Sequence, residues 1–423
     1  MKAVVLAAGE GQRLRPLTFT RPKHMIPIGG KPLLEHLLVA LKEAGINEVL
    51  VVVHYRVEQI KDYFGDGSKL GMRINYAFQK EMRGTADAFG FAENYVDGDF
   101  LAAYGDLLVT SGVIKSVLQL HNEVKPAATL AAVHVEHPEH YGILKTEGQE
   151  VVGIVEKPSP GVAADNPVNA GVYVFSRDIF EAIRQTGTSP RGEREITDSI
   201  RQFIEEGELV LAAKIPAEEW LDVGKPWDLL EANMRVLTRI KPEILGSVED
   251  NVHLKGQIFV SEGATIRSGT YIEGPAFIGE ASDIGPNCYI RPYTSIGRNV
   301  RIGNACEIKA SIIMDSAHIG HLSYVGDSVI GEGCNLGAGT ITANLRLDDG
   351  TVKMRIKGEV VDSGRRKMGV FMGDNVKTGI GTLLMPGKTI GCNCWIGPNL
   401  VVNEDVQSDS ILILKQQIER RSR

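Results

Sequence analysis

A repeat of six residues runs through the second half of the chain and constrains its fold more than any other feature. From Val248 onward an apolar residue returns at every sixth position, with small or turn-forming residues between. A helix would show a period of 3.6 and a strand a period of 2, so neither explains the pattern. A period of six is typical of a parallel β-helix, in which each repeat adds one short strand and buries one aliphatic side chain. The positions are Val248, Leu254, Val260, Ile266, Ile272, Ile278, Ile284, Ile290, Ile296, Ile302 and Ile308.

Beyond Ile308 the repeat slips, and it recovers at Ile319 and Val325. An interruption over about residues 345–367 carries seven Lys or Arg residues in a regular alternation, which favours a projecting β-hairpin; a solvated basic face is the alternative. The Ile-rich form resembles the left-handed β-helix of the hexapeptide acyltransferases. That resemblance implies a homotrimer of prisms packed side by side, with active sites between neighbours. The later positions of the repeat are Leu384, Ile390, Ile396 and Val402.

The first half of the chain alternates apolar runs with helical patterns, for example helices over Leu33–Ala44 and Ala86–Asn94. This alternation predicts an α/β fold, a Rossmann-like, mixed and mostly parallel sheet with helices on both faces. Ligands of such sheets bind at the carboxyl ends of the strands. The predicted strands are Ala3–Ala7, Val49–Val53, Ile74–Phe78, Phe100–Tyr104, Thr129–Val135 and Val172–Phe175.

A glycine-containing loop with basic residues follows the first predicted strand. Gly9 and Gly11 allow positive φ and carry no side chain, so backbone N–H groups can point at phosphate oxygens. Arg13 and Lys23 add the positive charge that a triphosphate needs. A Walker loop is absent, and Leu14 stands where a dinucleotide-binding loop has its third glycine. By itself the loop indicates an anion site, with an ordinary βα turn as the alternative.

The longer pattern L-A-A-G-x-G-x-R-L-x-P-L-T, followed by R-P-K, P-I and K-P-L, resembles the signature of the sugar-1-phosphate nucleotidylyltransferases. The resemblance implies that Arg13 and Lys23 are catalytic and stabilise phosphate charge as pyrophosphate leaves. Taken singly, the other matching positions are ordinary turn or surface residues; their order along the chain carries the resemblance. The implied nucleotide-binding residues are Leu6, Ala8, Gly9, Gly11, Gln79, Gly84 and Thr85. The implied sugar-phosphate residues are Tyr104, Gly142, Glu156, Lys157 and Asn169.

Two carboxylates lie beside glycines in segments that follow this order. Asp106 comes directly after an apolar strand and Gly105, and Asp222 stands in the run W-L-D-V-G over residues 220–224. Mg²⁺ is typically bound by one or two carboxylates together with substrate phosphates. The resemblance implies that both aspartates are metal ligands for Mg²⁺ or another divalent cation, and a turn-forming aspartate is the alternative at residue 106.

One segment of the predicted β-helix has the composition of a catalytic site. The run H-L-S-Y-V-G-D over residues 321–327 and the run G-A-G-T-I-T-A-N over residues 337–344 resemble the acetyltransferase motif of the bacterial bifunctional enzymes that make UDP-N-acetylglucosamine. His321 would be the general base that removes a proton from a sugar amine as it attacks the thioester of acetyl-CoA. The other implied acetyltransferase residues are Arg291, Lys309, Tyr324, Asn335, Ala338 and Asn344.

The chain departs from the bacterial motif after Asn344, where Leu-Arg-Leu-Asp and the basic interruption follow. Lys353 or Lys367 would then replace a lysine of the bacterial pattern. Ile380 and Pro398 occupy positions that are small in the bacterial coenzyme site. The whole layout is most similar to the archaeal bifunctional sugar-1-phosphate nucleotidylyltransferase/amino-sugar-1-phosphate acetyltransferases.

Composition excludes some classes of function. The net charge of −7 argues against a nucleic-acid partner, and no apolar stretch reaches the length of a membrane span, so a cytoplasmic enzyme is expected. The five cysteines form no C-x-x-C pair, which indicates neither a disulfide framework nor a zinc site. His134, His137 and His140 lie three residues apart, and we interpret them as solvated loop residues rather than a metal cluster.

These patterns predict a nucleotidyltransferase domain over residues 1–230, a linker helix over 231–245, a β-helix domain over 246–410 and a tail over 411–423 that forms a short polar helix or a frayed end. The predicted enzyme acetylates glucosamine 1-phosphate or galactosamine 1-phosphate. It then couples N-acetylglucosamine 1-phosphate, or glucose 1-phosphate, to UTP or dTTP. The alternatives are a single-activity nucleotidylyltransferase with a structural or regulatory β-helix, and a non-catalytic regulatory subunit.

Overall fold

The computed structural model describes residues 1–157 and 166–421, and its contacts divide the chain into two compact units. The first unit comprises residues 1–10, 22–25 and 32–223, and the second comprises 11–21, 26–31 and the chain from Gly224 onward. The contacts thus place the division between Val223 and Gly224, and two short N-terminal segments join the second unit. The domain bounds drawn from the sequence stay predictions.

The first unit is built around a mixed sheet in which Ala3–Ala7 pairs in parallel with Glu48–Val53 and with Phe100–Tyr104. Residues of Ala3–Ala7 alternate between two hydrophobic cores, one on each face of the sheet, which is why the whole strand is buried. This confirms the predicted Rossmann-like fold. Among the described residues, the order across the sheet is Arg73–Phe78, Glu48–Val53, Ala3–Ala7, Phe100–Tyr104, Val168–Phe175, Ala128–Val133, Val210–Lys214, Glu150–Glu156 and Gly142–Glu147.

Antiparallel pairing extends further than the sequence pattern indicates. Val168–Phe175 runs antiparallel to both of its main neighbours in the sheet, and residues 142–156 form a hairpin at one edge. Short strands at Leu107–Val109 and Trp220–Asp222 pair with each other outside this sheet, and a further pair lies at Pro27–Ile28 and Lys31–Pro32.

Helices cover both faces of the sheet. The helix predicted to end at Asn94 ends at Gly90 in the structure. None of the helices in the described part of the chain combines the length and the apolar composition needed to cross a bilayer. The helices of the first unit are Leu33–Glu43, Val57–Phe64, Thr85–Gly90, Ser111–Val124, Ile179–Gln185 and Ile196–Glu205.

The second unit is a three-sided parallel β-helix, of the left-handed type that the hexapeptide repeat predicts. Strands of one face pair in parallel with strands one coil earlier and later, and the aliphatic residue of each repeat points inside. Face one consists of Glu243–Ile244, Ile258–Val260, Ala276–Ile278, Thr294–Ile296, Ile312–Ile313, Val329–Ile330, Phe371–Met372 and Thr389–Ile390. Face two consists of Ser247–Val248, Thr265–Ile266, Asp283–Ile284, Arg301–Ile302, His318–Ile319, Asn335–Leu336, Lys377–Thr378, Trp395–Ile396 and Ile411–Leu412. Face three consists of His253–Lys255, Tyr271–Glu273, Tyr289–Ile290, Glu307–Lys309, Tyr324–Gly326, Ile341–Thr342, Leu383–Leu384 and Val401–Val402.

The slips of the repeat have a simple geometric cause. Ile308 is followed by Ile313, and Val325 by Ile330, so the step into face one is five residues long instead of six at these two places. Each shorter step lies at a corner, where one residue can be lost without disturbing the strands.

The interruption forms the predicted β-hairpin, with strands Lys353–Ile356 and Glu359–Asp362. It leaves the prism after Asn344 and returns at Met368, whose N–H donates to the carbonyl of Asn344 over 2.9 Å. The coils on either side still pair with each other, because Ile341 lies beside Leu383 on face three.

Two sequence expectations for the chain around the prism differ from the structure. The helix expected over residues 231–245 lies at Pro226–Leu237, because the first strand of the prism already begins at Glu243. The tail begins as a strand, Ile411–Leu412, which continues face two by pairing with Trp395–Ile396; from residue 413 to 421 it has no regular secondary structure.

Candidate active sites

In the first unit, strand ends bring the two predicted metal ligands together. The N–H of Gly105 donates to the carbonyl of Leu6 over 2.8 Å, so the end of strand Phe100–Tyr104 is held beside the end of the first strand. Leu107 pairs with Asp222, and the N–H of Val223 donates to the carbonyl of Asp106 over 3.1 Å. Asp106, directly before strand Leu107–Val109, and Asp222, the last residue of strand Trp220–Asp222, therefore lie at the same end of one small ladder. Their oxygen donors suit a hard divalent cation.

Lys23 is the positive group beside Asp106. Its Nζ forms an ion pair with Asp106, and its side chain lies over Gly9, where an added Cβ would be 3.8 Å from Lys23 Cε. Burial would raise the pKa of Asp106, but the Lys23 ammonium and its hydrogen bond outweigh this effect, and the pKa of Asp106 is lowered. Asp106 is thus kept ionised, as a metal ligand must be. For the adjacent His24 burial acts in the opposite direction: it lowers the pKa to about 3, so this imidazole stays neutral.

The other predicted catalytic cation, Arg13, belongs to the segment that joins the second unit. Gly11 there has a left-handed φ of 65°, and its carbonyl accepts from the N–H of Leu14 over 2.9 Å and from the hydroxyl of Thr18 over 2.8 Å. These bonds fold residues 11–21 into compact turns, with Leu14 and Leu17 each only 1% exposed. We name this segment the signature loop.

Asp228 in the second unit was not singled out by the sequence, although it follows the quoted W-L-D-V-G run closely. Its carboxylate accepts from the N–H groups of Gly224, over 3.0 Å, and Lys225, over 2.6 Å, at the start of helix Pro226–Leu237. Burial raises the pKa of Asp228 to about 6, against the opposing effects of these N–H donors, of Lys225 and of Arg13. A charge interaction therefore links Asp228 to a predicted catalytic arginine.

Asp228→Asn should remove a pH dependence of stability. The pKa of this carboxyl is 3.8 ordinarily and about 6 in the folded protein, so the folded state holds the proton more tightly. Asp228 therefore contributes up to about 3 kcal/mol to the free energy of unfolding below pH 4, and this contribution is lost as pH rises through 6. Asparagine keeps the acceptor oxygen without the charge. The free energy of unfolding, measured from pH 4 to 7, should increase for Asp228→Asn relative to the wild type as pH rises. Asp250→Asn, at an exposed position, should show no such change. The same pH dependence in all three proteins would contradict the expectation.

The predicted nucleobase residues lie in one segment of the first unit. Gln79 is 2% exposed, and its amide donates to Asp87 over 3.0 Å. An added Cβ at Gly84 would lie 2.3 Å from the carbonyl oxygen of Arg194, so only glycine fits there. The hydroxyl of Thr85 accepts from the N–H of Ile196 over 3.0 Å, which ties this segment to the start of a helix.

Two of the predicted sugar-phosphate residues, Asn169 and Tyr104, share a hydrogen-bonded network through Tyr173. The amide of Asn169 donates to the hydroxyl of Tyr173 over 2.7 Å, and Tyr173 donates to the hydroxyl of Tyr104 over 3.1 Å. Burial raises the pKa of Tyr104 well above its ordinary value, so it remains a neutral donor. Tyr173 was missed, because it reads as an ordinary core residue of an apolar strand.

Glu156 is the last residue of strand Glu150–Glu156, and Lys157 follows it. Lys157 Nζ is 3.6 Å from a carboxylate oxygen of Glu156, and Arg191, which the sequence did not single out, is 3.4 Å away from the same oxygen. An added Cβ at Gly142 would lie 2.9 Å from Glu156, so a side chain there would displace this carboxylate. Pro158, the next residue of the motif, lies outside the described residues.

The three loop histidines are exposed in the structure. His137 pairs with Glu139 over 3.3 Å, and the rings of His137 and His140 are 6.2 Å apart. Within residues 1–157 and 166–421, no group of three or more His, Cys, Asp or Glu side chains is arranged to hold a metal ion by itself.

In the second unit, face three carries a second polar cluster, centred on Asp327. Lys309 Nζ donates to both oxygens of this carboxylate, over 2.9 and 2.6 Å, and the amide of Asn344 donates to it as well. The same amide donates to the hydroxyl of Tyr324 over 3.0 Å. Four residues from three successive coils thus form one network. We name Lys309, Tyr324, Asp327 and Asn344 the face-three cluster.

Asp327 was quoted as part of the motif but not named as a site residue. It is 6% exposed and forms an ion pair with Lys309 over 2.6 Å, so a buried carboxylate has a basic partner beside it. Arg291 lies two coils before Asp327 and donates to Glu307 over 2.8 Å; Glu307 lies beside Tyr324 in the register of face three. Arg291 therefore joins the edge of the face-three cluster.

Gly326→Ala should impair this cluster without unfolding the prism. An added Cβ at Gly326 would lie 2.3 Å from the Tyr324 hydroxyl and 2.8 Å from the Asn344 amide nitrogen. Both side chains would have to shift, and a shift of about 1 Å at a catalytic site can cost roughly 100-fold in rate. We expect acetyl transfer to fall by about 10- to 100-fold in Gly326→Ala. Gly320→Ala is the matched control, because nothing lies within 4 Å of a Cβ at Gly320; equal losses in both variants would contradict the expectation.

The remaining predicted acetyltransferase residues lie at separate places on the prism. His321 is exposed in the turn between faces two and three, where its carbonyl accepts from the hydroxyl of Ser323 over 2.8 Å, and the following Leu322 has a left-handed φ of 50°. Asn335 is exposed on face two, in register with His318 and Lys377. Ala338 lies in the next turn and accepts from the N–H of Gly381 over 2.8 Å. Their roles stay predictions.

Lys353 and Lys367 lie at different positions along the hairpin. Lys367 bridges to Leu345 at the base of the hairpin, next to the chain that carries Asn344, whereas Lys353 is exposed on the first hairpin strand. Several of the arginines there are paired: Arg346 with Asp348, and Arg366 with Asp349 over 2.7 Å. Position alone favours Lys367 over Lys353 as the neighbour of the face-three cluster.

Comparisons with known proteins agree with both halves of this description. Residues 2–239 match the model of the family described as "Nucleotidyl transferase", and residues 272–380 match that described as "GMPPB C-terminal domain". A solved structure titled as a putative glucose-1-phosphate thymidylyltransferase from Bacillus anthracis in complex with a sucrose aligns with a TM-score of 0.51 at 26% identity. The alignment covers 55% of this chain and 94% of that one.

Curated relatives match over nearly the full length. The "Bifunctional protein GlmU" of Methanocaldococcus jannaschii is 43% identical, with 99% of this chain and 98% of the relative covered. The "Bifunctional sugar-1-phosphate nucleotidylyltransferase/acetyltransferase" of Sulfurisphaera tokodaii is 41% identical, with 96% of this chain and 98% of the relative covered. The chain therefore belongs to the nucleotidyl transferase family and, within it, to the full-length bifunctional nucleotidylyltransferase/acetyltransferase group that includes archaeal GlmU.

Proposed function

We propose that the chain is a bifunctional enzyme of nucleotide-sugar synthesis. The second unit transfers an acetyl group from acetyl-CoA to the amine of glucosamine 1-phosphate or galactosamine 1-phosphate. The first unit, with the signature loop, transfers UMP or dTMP from the triphosphate to N-acetylglucosamine 1-phosphate or glucose 1-phosphate. The observation that carries the two-activity proposal is the face-three cluster, because a β-helix that only assembles an enzyme has no need of a Lys–Asn–Tyr network around a buried aspartate.

In nucleotidyl transfer, a phosphate oxygen of the sugar phosphate forms a bond to the α-phosphorus, and the bond from that phosphorus to the bridging oxygen breaks to release pyrophosphate. Such reactions depend on positioning and charge stabilisation rather than on a protein nucleophile. Lys23 and Arg13 would stabilise the phosphates. Asn169, Tyr104 and Glu156 would bind the sugar, and Gln79, Gly84 and Thr85 the base.

Asp106 and Asp222 fit a divalent cation, Mg²⁺ in the first instance. Both supply oxygen donors at the same end of the small ladder, and the pKa of Asp106 is lowered beside Lys23. A bound cation would neutralise charge on the phosphates. The two carboxylates leave most of the coordination positions to phosphate oxygens and water, as is usual for Mg²⁺ in such sites.

In acetyl transfer, the sugar amine forms a bond to the thioester carbonyl carbon, and the carbon–sulfur bond breaks to release the coenzyme thiolate. His321 would take the proton from the amine. Lys309 and Arg291 would bind the sugar phosphate, and Tyr324 and Asn344 would orient the sugar. Asn335, Ala338 and either Lys367 or Lys353 would border the substrate and coenzyme. The trimer, the cytoplasmic location and the absence of nucleic-acid and membrane partners remain predictions.

Both activities should be measured on one preparation of the full chain. Acetyl transfer is followed as thiol release from acetyl-CoA with glucosamine 1-phosphate and galactosamine 1-phosphate. Nucleotidyl transfer is followed as pyrophosphate release from UTP or dTTP with Mg²⁺ and each sugar 1-phosphate. Nucleotidyl transfer without acetyl transfer to any amino-sugar phosphate would favour the single-activity alternative. Failure of both reactions would contradict the proposal. The ion pair of Lys23 with Asp106 argues against a non-catalytic regulatory subunit.

A further inference from the structure

A buried aspartate of the β-helix holds the end of the signature loop. Asp374 lies in the turn between strands Phe371–Met372 and Lys377–Thr378 and is 6% exposed. One of its oxygens accepts from the hydroxyl of Thr20 over 2.7 Å and from the guanidinium of Arg21. The other accepts from the N–H of Glu332 over 2.8 Å. The carboxylate therefore joins the signature loop to two turns of the prism.

Arg21 is held tightly at the same place. Its side chain is only 13% exposed, and besides Asp374 it reaches a carboxylate oxygen of Glu332 over 3.2 Å. Close by, the thiol of Cys392, in the next coil of face one, is 3.7 Å from the carbonyl of Pro16. A guanidinium and a carboxylate this deeply buried are retained only as a pair, and their geometry fixes both chain segments. Arg21 and Asp374 have no part in the chemistry proposed above.

The signature loop carries one proposed catalytic cation and leads directly to the other. Arg13 lies inside it, in turns closed by the bonds from Thr18 and Leu14 to Gly11. Lys23 follows Arg21 after a single residue, Pro22. A displacement at Arg21 would therefore reach Arg13 along a short and internally bonded stretch of chain within the second unit.

We propose, on the basis of the nucleotidyl transfer assigned above, that Asp374 is a positioning residue for that reaction. It holds Thr20 and Arg21, and through the signature loop, which belongs to the same unit, it sets the position of Arg13. The prism is then part of the machinery of nucleotidyl transfer and not only the seat of acetyl transfer.

Asp374→Asn in the full chain tests this proposal, because it keeps the shape of the side chain and removes its charge. We expect kcat of nucleotidyl transfer to fall by roughly 10- to 100-fold, with the KM for the sugar phosphate within about twofold of the wild type. The sugar-contacting residues Glu156 and Asn169 lie outside the signature loop, which is why that KM should not change. Acetyl transfer by the same preparation should stay within about twofold.

Asp315→Asn is the matched control. Asp315 also sits in a turn of the prism, accepts from the backbone N–H of Arg298 over 2.8 Å and pairs with that arginine, but its arginine is not part of the signature loop. Its nucleotidyl transfer should equal that of the wild type. Equal kcat for Asp374→Asn and Asp315→Asn, or an equal loss of both activities in Asp374→Asn, would overturn the proposal.

Arg21→Lys supplies a second test if Asp374→Asn does not fold. This variant keeps the charge but loses the planar guanidinium, so it should also lower kcat of nucleotidyl transfer. The double variant Asp374→Asn/Arg21→Lys should be no slower than the slower single variant, and losses that multiply would overturn the proposal. If the wild type does not release pyrophosphate at all, the proposed function fails; if it does and these variants match it, only this inference fails.

Discussion

Lys23→Ala should lower kcat of nucleotidyl transfer by about 100- to 1,000-fold, the loss expected when one group aimed at transition-state charge is removed. Lys23 is the cation at the strand ends that hold Asp106 and Asp222, and its side chain lies over the Gly9 backbone. Removing it also leaves Asp106 without its neighbouring ammonium, so burial would raise the pKa of that carboxyl. Pyrophosphate release under saturating substrates measures the loss.

Two controls separate chemistry from folding in this experiment. Lys69→Ala removes an exposed lysine from the same unit and should keep full activity. Acetyl transfer by the Lys23→Ala preparation should also match the wild type, because the face-three cluster belongs to the other unit. A folded Lys23→Ala protein that turns over within about threefold of the wild type would contradict the catalytic assignment of this residue.

His321→Ala is expected to lower acetyl transfer by roughly 100- to 10,000-fold, the range typical of a lost general base. His321 is the imidazole at the turn that leads into Tyr324, and it is the one histidine among the residues proposed for this site. Thiol release from acetyl-CoA with saturating glucosamine 1-phosphate measures the effect. Nucleotidyl transfer by the variant should be unchanged.

His318→Ala is the control for that variant. His318 is also exposed, lies three residues earlier and belongs to strand His318–Ile319 of face two. It should retain acetyl transfer within about twofold of the wild type. A loss in His318→Ala equal to that in His321→Ala would indicate damage to the prism, and near-normal acetyl transfer in His321→Ala would show that another group takes the proton.

The fold was largely predictable because apolar residues recur with a different spacing in each half of the chain. Apolar positions such as Ile266, Ile284 and Ile302 are buried where the hexapeptide register places them. The exceptions lie at the end of the prism: Val248 and Leu254 are each 37% exposed, because the first coil has no coil before it. The periodicity of the sequence does not show that a preceding coil is missing.

The site was predictable where residues are close in the chain and was missed where they are not. Tyr324, Asp327 and Asn344 meet because strands one coil apart stack, and the motif contains all three. The pairing of Arg21 with Asp374 joins residues more than 350 positions apart in a chain whose repeats all look alike. No local pattern marks Asp374 among the aspartates of the other turns, and only the folded arrangement identifies it.

The insertion at residues 345–367 has a practical consequence. Thr342 and Met372 occupy inward positions, and 30 residues separate them where one repeat would use six, yet the coils below and above are hydrogen-bonded as if nothing stood between them. Changing the length of such an excursion alters mainly loop-closure entropy, which grows slowly with length. The tip at Lys357–Gly358 is therefore a natural attachment point: a fluorophore, an affinity tag or a short peptide could be built in there while the prism stays whole.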